Sequence, residues 1–430
     1  MTEASSRAYG RGAAVLSAGI GTTGLITYAY FSLSSYSLTE AEYGGITLLW
    51  SAVFITVSVL YRPVEQLLSH TIADRDARGE TGSEHLRVAA TIQLALGVLF
   101  AVAALALRGP LEDELFGGSQ TLYWVLIVTV LAYAASYFAR GFLAGHHRFG
   151  LYGLLVLMEA SSRCLFAIAV AVGIAEGQSV VALGMAAAPI VSLAVVPWAL
   201  GRGLRTQTSD VGHRASGTAA EPEFTLAHGT GFAVAVLLVM LAEQTFLNAG
   251  PLIVMAGEGG AEGAALAGFT FNVLLIARAP LQLFQSVQTA ILPVLTRLRA
   301  SGETDPFRRS VNLTLVAVFG FAGVVALVML IAGPALMDVV FGGDFDYDRL
   351  GLVLIAIGMG LYLSAATLNQ AALARGHAPA SALCWVASAA AFVLFLALAE
   401  FDDRVLQVEV GYLGGAFVLC GLLYGLYRRG

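Results

Sequence analysis

The stretch GPLEDELFGGS at 109–119 returns 224 residues later as GPALMDVVFGGD at 333–344. Each copy opens on Gly-Pro, crosses a short acidic and apolar turn, and closes on Phe-Gly-Gly before a long apolar block. Working outward from this pair, other segments echo in the same order. RPVEQLLSHTIADR starts at Arg62 and RAPLQLFQSVQTAILPVLTR at Arg278, while LAGHH at 143–147 is answered by LARGH at 373–377. Three echoes in register predict that the chain is a duplication, with its halves in the same order and orientation.

The composition says what kind of duplication. The 430 residues are 58% hydrophobic and only 12% charged, with a mean hydropathy of +0.78. A soluble domain carries roughly 25% charge, so a large water-soluble enzyme is excluded. Apolar blocks fall at about 12–37, 45–69, 86–107, 120–142, 150–175, 178–200, 228–255, 263–293, 309–332, 349–372, 379–399 and 407–427. One helical crossing takes roughly 20 residues, and lipid offers the backbone no hydrogen-bond partner, so each block predicts a transmembrane helix. The blocks lack the period-2 alternation of a membrane barrel. The first block is too long for a signal-peptide core and is read as a retained span.

Twelve spans divide as six and six, and six is even, so both copies face the same way. The fold class expected is therefore an all-α integral membrane protein: two six-helix lobes, related by a pseudo-two-fold axis along the membrane normal, around a central cavity. Residues 1–200 form the first lobe and 228–430 the second. The stretch 201–227 between them, rich in Gly, Ser and Thr, reads as a flexible cytoplasmic linker.

Orientation follows from the arginines, since the chain contains no lysine. Sixteen of the 23 basic residues lie at the two ends of the chain or in loops after even-numbered spans, among them Arg75, Arg78, Arg148, Arg308, Arg309 and Arg375. The opposite loops are acidic instead, with Glu112, Asp113, Glu114, Asp344, Asp346, Asp348, Asp402 and Asp403. Basic loops stay inside, so both termini are expected in the cytoplasm and the chain in the cytoplasmic membrane. A net charge of −6 argues against a nucleic-acid partner. Cys164, Cys384 and Cys420 are far apart in apolar runs and read as packing residues. No metal-ligand spacing, nucleotide-binding loop or catalytic elbow accompanies them, so no cofactor, metal site or enzymatic activity is expected.

A few charged side chains remain at membrane depth, where an unpaired one costs at least ~2.5 kcal/mol. Arg62, Glu65, Gln66 and Ser69 share one face of span two at i, i+3, i+4 and i+7. Arg278, Gln282 and Gln285 repeat that face in span eight, and span seven adds Glu243, Gln244 and Asn248. These faces are expected to line one cavity and to bind substrate. Arg140, Glu159 and Arg163 are secondary candidates. The last two, at i and i+4, read as an intrahelical pair that neutralises itself near the interface. Pro63, Pro251, Pro280 and Pro293 are expected to loosen their helices.

Four segments carry a family resemblance: LTEAEYGGITLLWS from Leu38, ARGFLAGHHRFGLYGLLVLMEASSR from Ala139, ARAPLQLFQSVQTAILPVLTRLRASGE from Ala277, and GPALMDVVFGGDF from Gly333. Together they resemble the polysaccharide exporter branch, O-antigen-type flippases included, of the multidrug/oligosaccharidyl-lipid/polysaccharide (MOP) superfamily, over about residues 5–425. The resemblance implies a MATE-like fold. It also implies a flippase of polysaccharide or lipopolysaccharide biosynthesis that turns a polyprenyl-diphosphate-linked oligosaccharide to the outer leaflet by alternating access. Arg62, Glu65, Arg140 and Arg278 would serve the cavity. The implied partners are the lipid-linked glycan, the bilayer and polysaccharide assembly proteins. With no ATPase domain in the chain, drive would come from H+, Na+ or the membrane potential. Two other readings share the span count. One is a cation-coupled multidrug exporter of the same fold, with Glu65 or Glu243 as coupling site. The other is a major-facilitator-type solute transporter, to which ADRDARG at 73–79 is a partial match.

Overall fold

In a computed structural model, residues 3–78, 82–197, 226–278, 280, 304–342 and 347–429 are described. Among them the secondary structure is helical throughout. The helices are α1 (Glu3–Ser37), α2 (Glu40–Leu60), α3 (Arg62–Arg78), α4 (Glu84–Ala106), α5 (Gln120–Gly145), α6 (Phe149–Ala171) and α7 (Gln178–Ser192). They continue as α8 (Leu226–Glu258), α9 (Gly260–Arg278), α10 (Thr304–Phe341), α11 (Arg349–Ala374), α12 (Ala378–Leu398) and α13 (Arg404–Arg429). Counting α2 with α3, eleven of these segments are long and apolar enough to cross a membrane, and α1 adds a further 35-residue helix. The chain is a multi-pass membrane protein with the expected order of spans.

The duplication is visible in where each helix sits. Spans three and nine (α4 and α10) are outermost, with only 22% and 17% of their apolar windows buried, whereas spans four and ten (α5 and α11) are central, at 61% and 72%. The echoed motifs fold alike. In both Phe-Gly pairs the phenylalanine is buried (Phe116, Phe341) and the following glycine takes a left-handed conformation, Gly117 at φ +57° and Gly342 at φ +93°. Such a residue ends a helix by freeing its last carbonyls for reverse bonds. The LAGHH and LARGH segments likewise close α5 and α11 with one motif. The Arg148 amide returns 2.8 Å to the Leu143 carbonyl, and the His377 amide 2.9 Å to that of Ala372. The left-handed residue is Gly376 in the second copy but His147, at φ +55°, in the first.

Two expectations about boundaries need correction. The turn 333–344 was expected to lie outside the span, yet α10 runs through Pro334 to Phe341, because ALMDVV is apolar and helix-compatible. Pro63 does fall beside a discontinuity: Tyr61, at φ −108°, separates α2 from α3, although its amide still reaches the Val57 carbonyl and its carbonyl still accepts from Glu65, each at 2.9 Å, and Pro63 sits in the first turn of α3. Pro251, by contrast, leaves α8 continuous. The linker 201–227 lies outside the described residues, apart from 226 and 227, which begin α8.

The lobes close on one another at the end that carries the acidic turns. Gly44 of α2 meets Ala264 of α9 so closely that a Cβ on Gly44 would stand 1.8 Å from the Ala264 carbonyl oxygen. Tyr43 donates to Asn272 Oδ1, and Asn272 Nδ2 donates to Tyr347 Oη at 3.1 Å, all three buried. Ser32 and Ser35 of α1 donate to the carbonyls of Val340 and Phe341, and Tyr36 Oη to that of Val339 at 2.8 Å. Beneath this seal Phe31 packs on Phe271 and Trp50, ring centroids 4.6 and 4.9 Å apart.

Candidate functional site

Below the aromatic layer, toward the arginine-rich end, the lobes enclose a cavity of about 410 Å³. Its wall includes Arg62, Glu65, Gln66, Arg140, Glu159 and Arg163 from the first lobe and Glu243, Gln244, Asn248 and Arg278 from the second. The structure thus gathers these candidates around one space. Gln282 and Gln285, with Pro293, lie outside the described residues.

The first-lobe wall is a linked set of charges. Glu159, only 2% exposed, accepts bonds from Arg140 of α5, from Ser136 and, at 3.3 Å, from Ser192 of α7. Arg163 turns away from it: Nη1 donates to Tyr133 Oη at 2.8 Å, and the guanidinium stands 5.0 Å from the Trp50 ring centroid and 5.8 Å from that of Phe54. The expected intrahelical Glu159–Arg163 pair is therefore replaced by a pairing across helices. The reason is burial: both side chains are inside the lobe, and Arg140 offers a guanidinium to a carboxylate that would otherwise be stranded. Arg140 also lies over Tyr137, 4.5 Å from its centroid. Glu65 accepts from Tyr152 Oη at 3.0 Å.

Tyr133 and Tyr137 escaped the sequence reading, whereas Tyr152 lies in the segment from Ala139 that carries the family resemblance. Tyr133, Tyr137 and Arg140 lie at i, i+4 and i+7, and Tyr152, Glu159 and Arg163 at i, i+7 and i+11. The helical spacing that flagged span two marks these faces as well, but a tyrosine in an apolar run carries no charge whose burial would single it out.

The close approach of α3 to α5 fixes where Glu65 sits. A Cβ on Gly141 would be 2.8 Å from the Glu65 carbonyl oxygen, and one on Gly145 would be 2.7 Å from Ile72 Cβ. Small residues one turn apart let the two backbones touch.

Arg278 is held in another way. Pro251 has no amide, so the carbonyl four residues earlier, that of Leu247, lacks its helical donor. Arg278 Nη2 donates to that carbonyl and, at 2.8 Å, to Asn248 Oδ1. Asn248 is itself fixed by Nδ2 donating 3.1 Å to Gln244 Oε1. The guanidinium lies 4.3 Å from the Phe271 centroid, and its Nε is buried without a partner. Among the described residues no carboxylate contacts Arg278. Arg62, half-buried at the break between α2 and α3, has no hydrogen-bonded or ion-paired partner among them either. Glu65 of its own helix and Glu243 of the opposite lobe line the same cavity. The site therefore holds one Arg140–Glu159 ion pair and three guanidiniums without a contacting carboxylate: Arg163, held by a hydroxyl and aromatic faces, Arg278, held by a carbonyl and an amide, and Arg62, with no hydrogen-bonded partner among the described residues.

No protein-family model and no curated protein sequence matches the chain. Solved structures do. The inward-facing form of a multidrug resistance MATE family transporter of the MOP superfamily is 14% identical, with TM-score 0.70 over 97% of each chain. A structure of such a transporter facing outward gives 0.57 at 16% identity, over 97% of this chain and 95% of that one. A Vibrio cholerae MATE transporter in its bent form gives 0.56 at 14%, over 99% and 98%. The chain has the two-lobed fold of the MATE transporters of the MOP superfamily.

Proposed function

We propose that this protein is a flippase of the cytoplasmic membrane that carries a polyprenyl-diphosphate-linked oligosaccharide from the inner to the outer leaflet by alternating access. The arginine bias of the loops supports both termini in the cytoplasm. The observation that carries the reading is the pair Arg62 and Arg278, two cavity guanidiniums without a contacting carboxylate. Planar guanidinium forks suit phosphate oxygens, and a diphosphate needs such compensation to leave water. Gln66 and Gln244 supply amides for sugar hydroxyls, and the polyprenyl tail stays in lipid. No bond is made or broken, so the chemistry asked of the protein is neutralisation, hydration and a change in which lobe face is open. Polysaccharide assembly proteins are the partners this role requires, and H+, Na+ or the membrane potential the drive.

A second reading has its own support: export of small cationic drugs, favoured by the multidrug transporters among the structural matches and by Glu65 and Glu243 in the cavity. Deleting the gene separates the two. Build-up of the lipid-linked glycan precursor on the cytoplasmic face supports the flippase. Unchanged precursor with raised sensitivity to cationic drugs supports the exporter.

A further inference from the structure

Glu243 belongs to the second lobe and Arg62 to the first, and they meet only across the cavity. No hydrogen bond or contact ion pair joins them among the described residues, yet both line the same cavity, one from each lobe. Glu243 also borders a second, smaller cavity of about 150 Å³ inside its own lobe, lined by Tyr362, Asn369 and Gln370. There the Tyr362 hydroxyl is buried with no hydrogen-bond partner, an arrangement that costs free energy unless an acceptor reaches it. Asn369 Oδ1 is already taken by Ser381 Oγ. Glu243 thus stands between a guanidinium lacking a contact anion and a hydroxyl lacking an acceptor.

We infer that Glu243 is a removable stand-in for the anionic group of the substrate: it occupies the field of Arg62 while the cavity is empty and yields to an incoming diphosphate by turning toward Tyr362. The inference rests on the flippase reading and adds to it a residue that sets specificity. An anion competes with Glu243 for Arg62 and displaces it; a neutral or cationic solute does not, and leaves the cross-lobe attraction in place. Displacement also removes an attraction between the lobes, which ties occupancy to their separation. The carboxylate needs no change of protonation for this, only a new partner.

The test measures binding of two probes to the full-length protein in nanodiscs: inorganic pyrophosphate, and a short-chain polyprenyl diphosphate added from the lipid. Glu243→Gln removes the competitor and is expected to tighten binding by about three- to tenfold, the scale of one non-contact charge attraction taken out of competition. Tyr362→Phe removes the second resting place and is expected to weaken binding in the wild-type background but not in the Glu243→Gln background, since the two changes then share one step. Equal gains with both probes assign the competed anion to the diphosphate itself; a gain with the lipid probe alone assigns it to the membrane-borne headgroup. Unchanged or weaker binding in Glu243→Gln, with binding still lost in Arg62→Ala, overturns the stand-in role and leaves the flippase reading intact. Undiminished binding in Arg62→Ala overturns the flippase reading, and absence of binding by either probe to any variant overturns both. Thermal unfolding of each variant in detergent separates these results from loss of fold.

Discussion

Arg140 and Arg163 border the same cavity, but one is neutralised by a carboxylate and the other by aromatic faces and a hydroxyl. The difference predicts different penalties. Glu159→Gln leaves Arg140 buried without its counter-charge and should lower stability by about 3 kcal/mol, the cost of breaking a buried pair from one side. Glu65→Gln loses only charge assistance to one tyrosine bond and should cost about 1 kcal/mol. Thermal unfolding in detergent ranks the two, and equal shifts would show that Glu159 is not the anchor. Pro251 gives a second test at this scale. Pro251→Ala restores an amide to α8, which then claims the Leu247 carbonyl that Arg278 uses. The helix gains up to ~3 kcal/mol of intrinsic preference, so the melting point should hold or rise while diphosphate affinity falls. Parallel losses of both would mean that the proline is there only for packing. The charged candidates were legible because lipid tolerates so few of them. Their partners were not, since i, i+4 spacing describes an isolated helix and Glu159 answers to a neighbouring one.

Among the elements, span two shows what a proline signal does and does not decide. Pro63 and Pro251 look alike in sequence, but Pro63 falls where the chain can begin a new helix, with α3 secured by Gly141 and Gly145 against α5. Pro251 is enclosed on both sides by apolar turns that keep α8 helical. The outer turns are written more plainly. Thr39 and Glu42 form a reciprocal cap on α2, Ser119 caps α5, and Asp348 accepts from the Gly351 amide at 3.0 Å at the start of α11. The duplicated α5 and α11 endings differ in one residue, His147 against Gly376. A side chain in the left-handed region costs roughly 1 kcal/mol, so His147→Gly should raise stability by about that amount, read as a higher unfolding midpoint. A lower midpoint would show that the ring contacts of His147 with Phe149, 5.8 Å between centroids, outweigh the backbone cost.

For the whole molecule, the sequence already carried the span order, the like orientation of the halves and the polar faces that meet in the cavity, because duplication, helical period and desolvation cost are all written along the chain. The lobe-to-lobe closure was not, since Gly44 and Ala264 stand 220 residues apart and nothing local says that they touch. Replacing both Ser32 and Val340 by cysteine, with the native cysteines changed to alanine, places a thiol pair across the seal of α1 and α10. Oxidation should stop transport and reduction restore it; transport that continues through the oxidised form would mean that this seal never opens. Gly44→Leu acts in the opposite sense, holding α2 off α9 and favouring the state open at the acidic-turn end. The account stands or falls on the two cavity guanidiniums. In proteoliposomes loaded with lipid-linked oligosaccharide, the flipping rate should drop by about tenfold or more in Arg62→Ala and in Arg278→Ala, each losing a charge-assisted phosphate contact. Flipping at the wild-type rate in both variants would contradict it.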